Sequence, residues 1–209
     1  MPKRAAPKAV KVPSAKERRK SAQMNLASTS GESTSSSNAA NVFEPAKERF
    51  TFFYKKDSPF SQFHSCQFTV AGVTYNCAEQ YMMHQKAVMF GDTQMAKRIL
   101  ASSSPPQQKS FGRLVEKFDP EVWARQCREV VFNGNYAKFT QNKNLLTHLI
   151  ATEGTTLVEA SPRDKIWGIG MGANNPLAQN RATWKGRNYL GEALTQVRER
   201  IMRDNSTSN

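Results

Sequence analysis

The chain has 209 residues, enough for one domain and a tail, and its 38% hydrophobic content is low for a chain that is globular throughout. No apolar run is long enough for a transmembrane helix, no secretory segment opens the chain, and Cys66, Cys77 and Cys127 are widely spaced with no CxxC pattern. Membrane association, a disulfide framework and a zinc site are therefore not expected; reduced thiols in a cytoplasmic or nuclear protein are. The net charge of +13 divides into +6 over residues 1–49 and +7 over residues 50–209, so the folded part alone is basic and suits phosphate-bearing partners, nucleotide or nucleic acid.

In chain order, residues 1–48 are expected to be a disordered tail. Pro, Lys and Arg alternate with small residues as far as Asn25, and the stretch "STSGESTSSSNAAN" is of low complexity. "KERRK" reads as a localisation signal, a nucleic-acid arm or merely a solvated cluster. The domain spans residues 49–203, and residues 204–209 are expected to be disordered again. "FTFFY" is a strand, and "FTVAGVTYN" carries a second that turns back at "AG". A helix follows over about 77–90, stopped by Gly91. Asp92 caps the next, Pro105 opens a third, and Asp119–Pro120 open a long fourth. On that long helix Val122, Gln126, Glu129 and Val130 share one face, and Trp123, Cys127 and Val131 share another. "KNLLTHLIAT" is a short helix, "TTLVEAS" a strand and "LGEALTQVRERIMR" a closing amphipathic helix. The fold class is α+β: a mainly helical single domain with a small antiparallel sheet.

Two features point to chemistry. In "YNCAEQYMMHQKAVMFGD", Glu79 and Lys86 stand seven residues apart. At about 100° per residue they return to within about 20°, on one stripe about 10 Å long. Asn76 lies three residues before Glu79, so spacing alone favours a helix cap for Glu79. The alternatives for Lys86 are a site role and an ammonium that snorkels to solvent. His84 points elsewhere, and Met82, Met83 and Met89 read as core. The second feature is the long loop "PRDKIWGIGMGANNPLAQNRATWKGRNY". Gly168 and Gly170 allow backbone amides to approach a ligand, and Trp167, like Trp123 on its helix, offers either a stacking surface or plain core. Asp164 is a ligand for sugar hydroxyls or a turn residue after Pro162. Asn188 and Gly191 open the last helix, where a phosphate or a plain cap fits equally.

The fragments "FYKKDSPFSQF", "YNCAEQYMMHQKA", "KSFGRLVEKFDPEVWARQC", "NYAKFTQN", "LVEASPRDKIWGIGMG" and "WKGRNYLGEALTQVRER", in this order, resemble the NADAR family, associated with NAD and ADP-ribose metabolism. The resemblance runs from about Phe50 to Met202. It implies an N-glycosidase needing no cofactor. The substrate is either ADP-ribosylated guanine in nucleic acid or a ribosylamino intermediate of riboflavin synthesis; a non-catalytic ADP-ribose or nucleic-acid binding module is the competing class. The resemblance shifts Glu79 from cap to catalytic carboxylate, kept ionised by the helix dipole. It makes Lys86 a nucleophile on the anomeric carbon through a Schiff base, or a holder of phosphate or sugar oxygens. It gives Asp164 the task of positioning Lys86 or binding ribose. Ser61, Trp123, Trp167, Gly168, Gly170, Asn188 and Gly191 become substrate-binding. Gln62 stands where family members usually carry Asn. No ligand spacing for a metal is present, so cleavage is expected to persist in excess EDTA; loss of activity that zinc or magnesium restores overturns that expectation.

Overall fold

A computed structural model describes residues 48–207. The tail expected over residues 1–48 lies outside them except for Glu48. Strand β1 (Phe50–Phe53) pairs in parallel with β4 (Thr156–Glu159), Phe50 opposite Thr156 and Phe53 opposite Glu159. Strands β2 (Phe68–Val70) and β3 (Val73–Tyr75) form the expected antiparallel hairpin. Its turn residues Ala71 and Gly72 have φ of 49° and 78°. Two left-handed residues in a two-residue loop match the right-handed twist of the strands. The sheet content is thus two separate pairs, and the parallel one joins segments more than a hundred residues apart.

Among the described residues six helices surround these strands: α1 (Ala78–Met89), α2 (Thr93–Ala101), α3 (Pro105–Arg113), α4 (Pro120–Gln141), α5 (Lys143–Ile150) and α6 (Tyr189–Ser206). Local signals start three of them. Asp92 accepts from the Met95 amide at 2.9 Å, Asp119 from the Glu121 and Val122 amides, and Pro105 occupies the first turn of α3. Helix α1 is the centre of the domain. It packs against α2, α3 and α4, and every residue from Ala78 to His84 is buried. Two glycines admit it: a Cβ on Gly112 of α3 would lie 2.0 Å from Met83 Sδ, and one on Gly134 of α4 would lie 2.4 Å from the Tyr81 ring. On α4 the Cys127–Val131 face turns inward and continues through Gly134, Asn135, Lys138 and Phe139, whereas Gln126 and Glu129 face solvent.

The end of α6 corrects one expectation. Residues 204–206 are helical, because Asp204 receives the Arg200 guanidinium at 2.8 Å and the Tyr136 hydroxyl of α4 at 3.0 Å. Among the described residues no helix is long and apolar enough to cross a membrane.

The loop between β4 and α6 folds back on β4. The Ile169 amide donates to Glu159 O at 3.0 Å, and two short 3₁₀ turns, Pro176–Gln179 and Arg181–Thr183, shape its middle. Asn188, at φ 52°, ends it. Its side-chain amide clasps β4, accepting from the Glu159 amide at 3.0 Å and donating to Leu157 O at 2.9 Å. This clasp delivers the end of β4 and the start of the loop to the N-terminal end of α1.

Candidate active site

The N-terminal turn of α1 opens onto a cavity of about 360 Å³. The cap of that turn is Cys77 rather than Asn76: its Sγ accepts from the Gln80 amide at 3.4 Å, while Gln80 Oε1 receives the Asn76 amide at 2.8 Å. Gln80 therefore does the reciprocal capping that the sequence suggested for Glu79. Asn76 instead donates to Ser102 O and accepts from Gln108. Glu79 stands second in the helix, and its carboxyl is left to line the cavity, 5% exposed.

Three acids converge there. Glu79 comes from α1, Glu159 from the end of β4 and Asp164 from the loop beyond it. Burial pushes Glu79 up to about 7; Lys109 and Arg113 pull the other way, and Asp164 adds repulsion. Glu159 is pushed up to about 7 by burial and then by Asp164, against Lys109. The expected hold of the helix dipole does not keep Glu79 in the ordinary carboxylate range, because burial raises it. Two carboxyls that titrate near neutrality can each give or take a proton at working pH. Asp164 is the turn residue that the sequence offered as one reading, and it stands at the cavity as well. Its Oδ1 accepts from the Ile166 and Trp167 amides at 2.9 and 2.8 Å, fixing the turn, and the residue also lines the cavity.

The opposite wall is the loop after β1. Ser61 lines the cavity and accepts from the Phe63 amide at 3.1 Å. Beneath it lies Lys138 of α4, fully buried, donating to Pro59 O at 2.7 Å and Ser61 O at 3.0 Å. Its burial lowers its proton affinity to about 8. Gln62 has its Oε1 tied to Asn135 Nδ2 at 2.9 Å, so its side chain reaches α4 while the residue still lines the cavity. The Gln62 carbonyl also accepts from the Glu79 amide at 2.9 Å, joining loop and helix.

Lys86 does not line this cavity. Its ammonium donates to Gly112 O in the last turn of α3 at 2.7 Å and lies 3.7 Å from the Phe118 ring centroid. Burial lowers its proton affinity, and no carboxylate pairs with it among the described residues. The expected contact with Asp164 is not formed. Trp167 lines the Glu79 cavity and also a neighbouring one, where Trp123 lies. Gly168 and Gly170 line neither. A Cβ on Gly168 would meet Glu159 O at 2.8 Å, and the Gly170 amide is spent on Asp164 O. Asn188 and Gly191 are likewise structural rather than phosphate ligands. Asn188 clasps β4, and a Cβ on Gly191 would lie 2.1 Å from Leu157 O. His84 is away from the site, its Nδ1 2.9 Å from the Tyr75 hydroxyl.

The sequence reading missed Glu159, Lys109 and Lys138. Glu159 closes an apolar strand run and Lys109 sits inside the quoted "KSFGR" fragment, so both had a signal in being charges within otherwise structured motifs. Lys138 had none.

The NADAR domain model matches residues 52–202. The chain belongs to the NADAR family. This NADAR chain is 43% identical over 125 residues to N-glycosidase R617 of Acanthamoeba polyphaga mimivirus, covering 60% of this chain and 74% of the relative. It is 29% identical over 157 residues to the riboflavin biosynthesis protein VVA0006 of Vibrio vulnificus, covering 74% of this chain and 39% of that longer protein. The solution structure of the E. coli protein YbiA superposes with a TM-score of 0.63 at 27% identity, over 79% of this chain and 92% of YbiA.

Proposed function

We propose that this NADAR chain is an N-glycosidase that removes ADP-ribose from ADP-ribosylated guanine in nucleic acid. The observation that carries the reading is the pair Glu79 and Glu159, both shifted to about 7, facing one cavity with Asp164 beside them. Cleavage of an N-glycosidic bond needs a proton for the departing nitrogen and negative charge near a sugar that passes through an oxocarbenium-like state. A half-protonated pair supplies both from one set of residues. The proton goes from one carboxyl to the base nitrogen as the bond to C1 breaks, and the other carboxylate faces the developing positive charge.

Lys86 is the nucleophile in this scheme. A carboxyl first protonates the ring oxygen, the C1–O bond breaks and C1 becomes an imine of the base nitrogen; the Lys86 amine adds to C1, the base nitrogen takes a proton and leaves as the amine, and water hydrolyses the lysine imine to release the sugar and the lysine. A buried ammonium with lowered proton affinity and no carboxylate partner is suited to this. To reach the sugar, Lys86 gives up its hydrogen bond to Gly112 O, a net loss of roughly 1–3 kcal/mol, together with its seat on the Phe118 ring.

The basic charge of residues 50–209 favours a nucleic-acid adduct over a small metabolite. The likeness to a riboflavin biosynthesis protein supports the second reading, a ribosylamino intermediate. Incubation with ADP-ribosylated guanosine DNA and, separately, with the riboflavin intermediate decides between them. Release of ADP-ribose from the DNA is expected. Cleavage of the small metabolite alone assigns the second reading, and no release from either leaves a binding module.

A further inference from the structure

Beside the Glu79 cavity, on the far side of Trp167, is a second one of about 790 Å³, two of whose walls, Phe118 and Trp123, also carry the Lys86 ammonium at 3.7 and 5.9 Å from their ring centroids. All three tryptophans of the chain, Trp123, Trp167 and Trp184, line it, together with Phe118 and Tyr189. Its charged lining residues are Lys165, Lys185 and Arg187, and no acid is among them. Apolar surface is open to solvent at its mouth: Ile166 is 56% exposed and Phe118 40%.

The rim is built, not incidental. The Lys185 amide donates to Ile169 O and the Arg187 amide to Lys165 O, both at 3.0 Å, so the segments 165–169 and 185–187 run side by side. Gly186 permits this approach, since a Cβ there would lie 2.3 Å from Gly168 O. The Arg187 guanidinium is held by the Tyr189 hydroxyl at 3.0 Å. The Trp184 indole is fixed by its Nε1–H to Ala178 O at 2.9 Å. Rigid aromatic faces beside a row of cations, with no counter-charge, match a planar base joined to a phosphate.

We infer that this second cavity binds a nucleoside phosphate: the base stacks on the aromatic walls and the phosphate lies on Lys165, Lys185 and Arg187. Resting on the proposed function, this deepens it. Trp167 is common to both cavities, so one substrate can span them, its scissile bond at Glu79 and a nucleotide in the second. That nucleotide is either the adenylate of the ADP-ribosyl group or a neighbouring nucleotide of the modified strand. The chemistry of recognition is the same for both.

Binding is measured without turnover, by quenching of tryptophan fluorescence in the full-length Glu79→Gln protein with adenosine monophosphate as the probe and ribose 5-phosphate as the base-free control. Saturable quenching by the nucleotide, at least about 10-fold tighter than by the control, is expected. Lys185→Glu combined with Arg187→Glu is expected to weaken it about 10-fold or more. Trp123→Ala weakens it similarly while Trp123→Phe, which keeps a ring, restores it. A single-stranded oligodeoxynucleotide that displaces the probe identifies the strand as the source; failure to displace it identifies the adenylate. No saturable quenching by either nucleotide, or equal affinity in wild-type and doubly charge-reversed rims, overturns the inference. Because cleavage is not read in this assay, nucleotide binding by Glu79→Gln beside a wild-type protein that cleaves nothing would retire the proposed activity and keep this site. Cleavage without nucleotide binding would do the reverse.

Discussion

Glu79→Gln lowers cleavage by about 100-fold or more and, at alkaline pH, leaves the protein more stable than the wild type. The two outcomes share one cause. Glu79 is buried, with its carboxyl at the cavity, and is raised to about 7 from an ordinary 4.5. Between those values the folded protein holds a proton that the unfolded chain has released, so stability falls as pH rises from about 4.5 through 7 and stays lower above it. The full effect is at most roughly 3 kcal/mol. Glutamine cannot ionise and escapes it. The difference in melting temperature between Glu79→Gln and wild type should therefore grow from pH 5 to pH 8. The wild-type pH–rate profile should peak near neutrality and fall on both sides, as the acid and the base among Glu79 and Glu159 lose their working protonation states. A mere helix cap predicts the opposite: glutamine caps as well, so activity would persist and no pH-dependent gain would appear. Full activity in Glu79→Gln returns the residue to a structural role.

Much of the fold was legible because its signals are local. Asp92, Pro105 and the Asp119–Pro120 pair each start a helix through backbone groups within three residues, and "AG" turns the hairpin through its own φ angles. The β1–β4 pairing was not legible, since nothing near Phe50 specifies Thr156 as its partner. The site was half legible for the same reason. Glu79 is marked by an acid inside an apolar run, but what raises its proton affinity is burial beneath a distant loop and the proximity of Asp164. Asn188 shows the converse failure. An Asn before a helix reads as a cap or ligand, and only the folded chain shows its amide turned back to clasp β4. The Glu79–Lys86 stripe was real in angle, but α1 is enclosed nearly all round, and α3 closes over Lys86 while the cavity opens over Glu79.

Borohydride added during turnover is expected to trap the sugar on Lys86. The proposal asks a side chain now seated on Gly112 O and the Phe118 face to act at C1. Two properties favour it. Burial disfavours the ammonium, which increases the neutral amine that can attack, and among the described residues no carboxylate holds the charge in place. The imine it forms is the species on the path that borohydride reduces to a stable amine on the protein. The mass gain should lie on the peptide carrying Lys86 and be absent from Lys86→Arg. That variant should also lose turnover, since a guanidinium stays protonated and cannot add to C1. A structural role predicts a different pair of results. Arginine can still donate to the α3 carbonyl and stack on Phe118, so a capping Lys86 would be replaced with activity kept and no adduct found in either protein. Normal turnover in Lys86→Arg together with an unmodified wild-type chain would therefore assign Lys86 to the end of α3 and leave water, activated by Glu79 or Glu159, as the nucleophile.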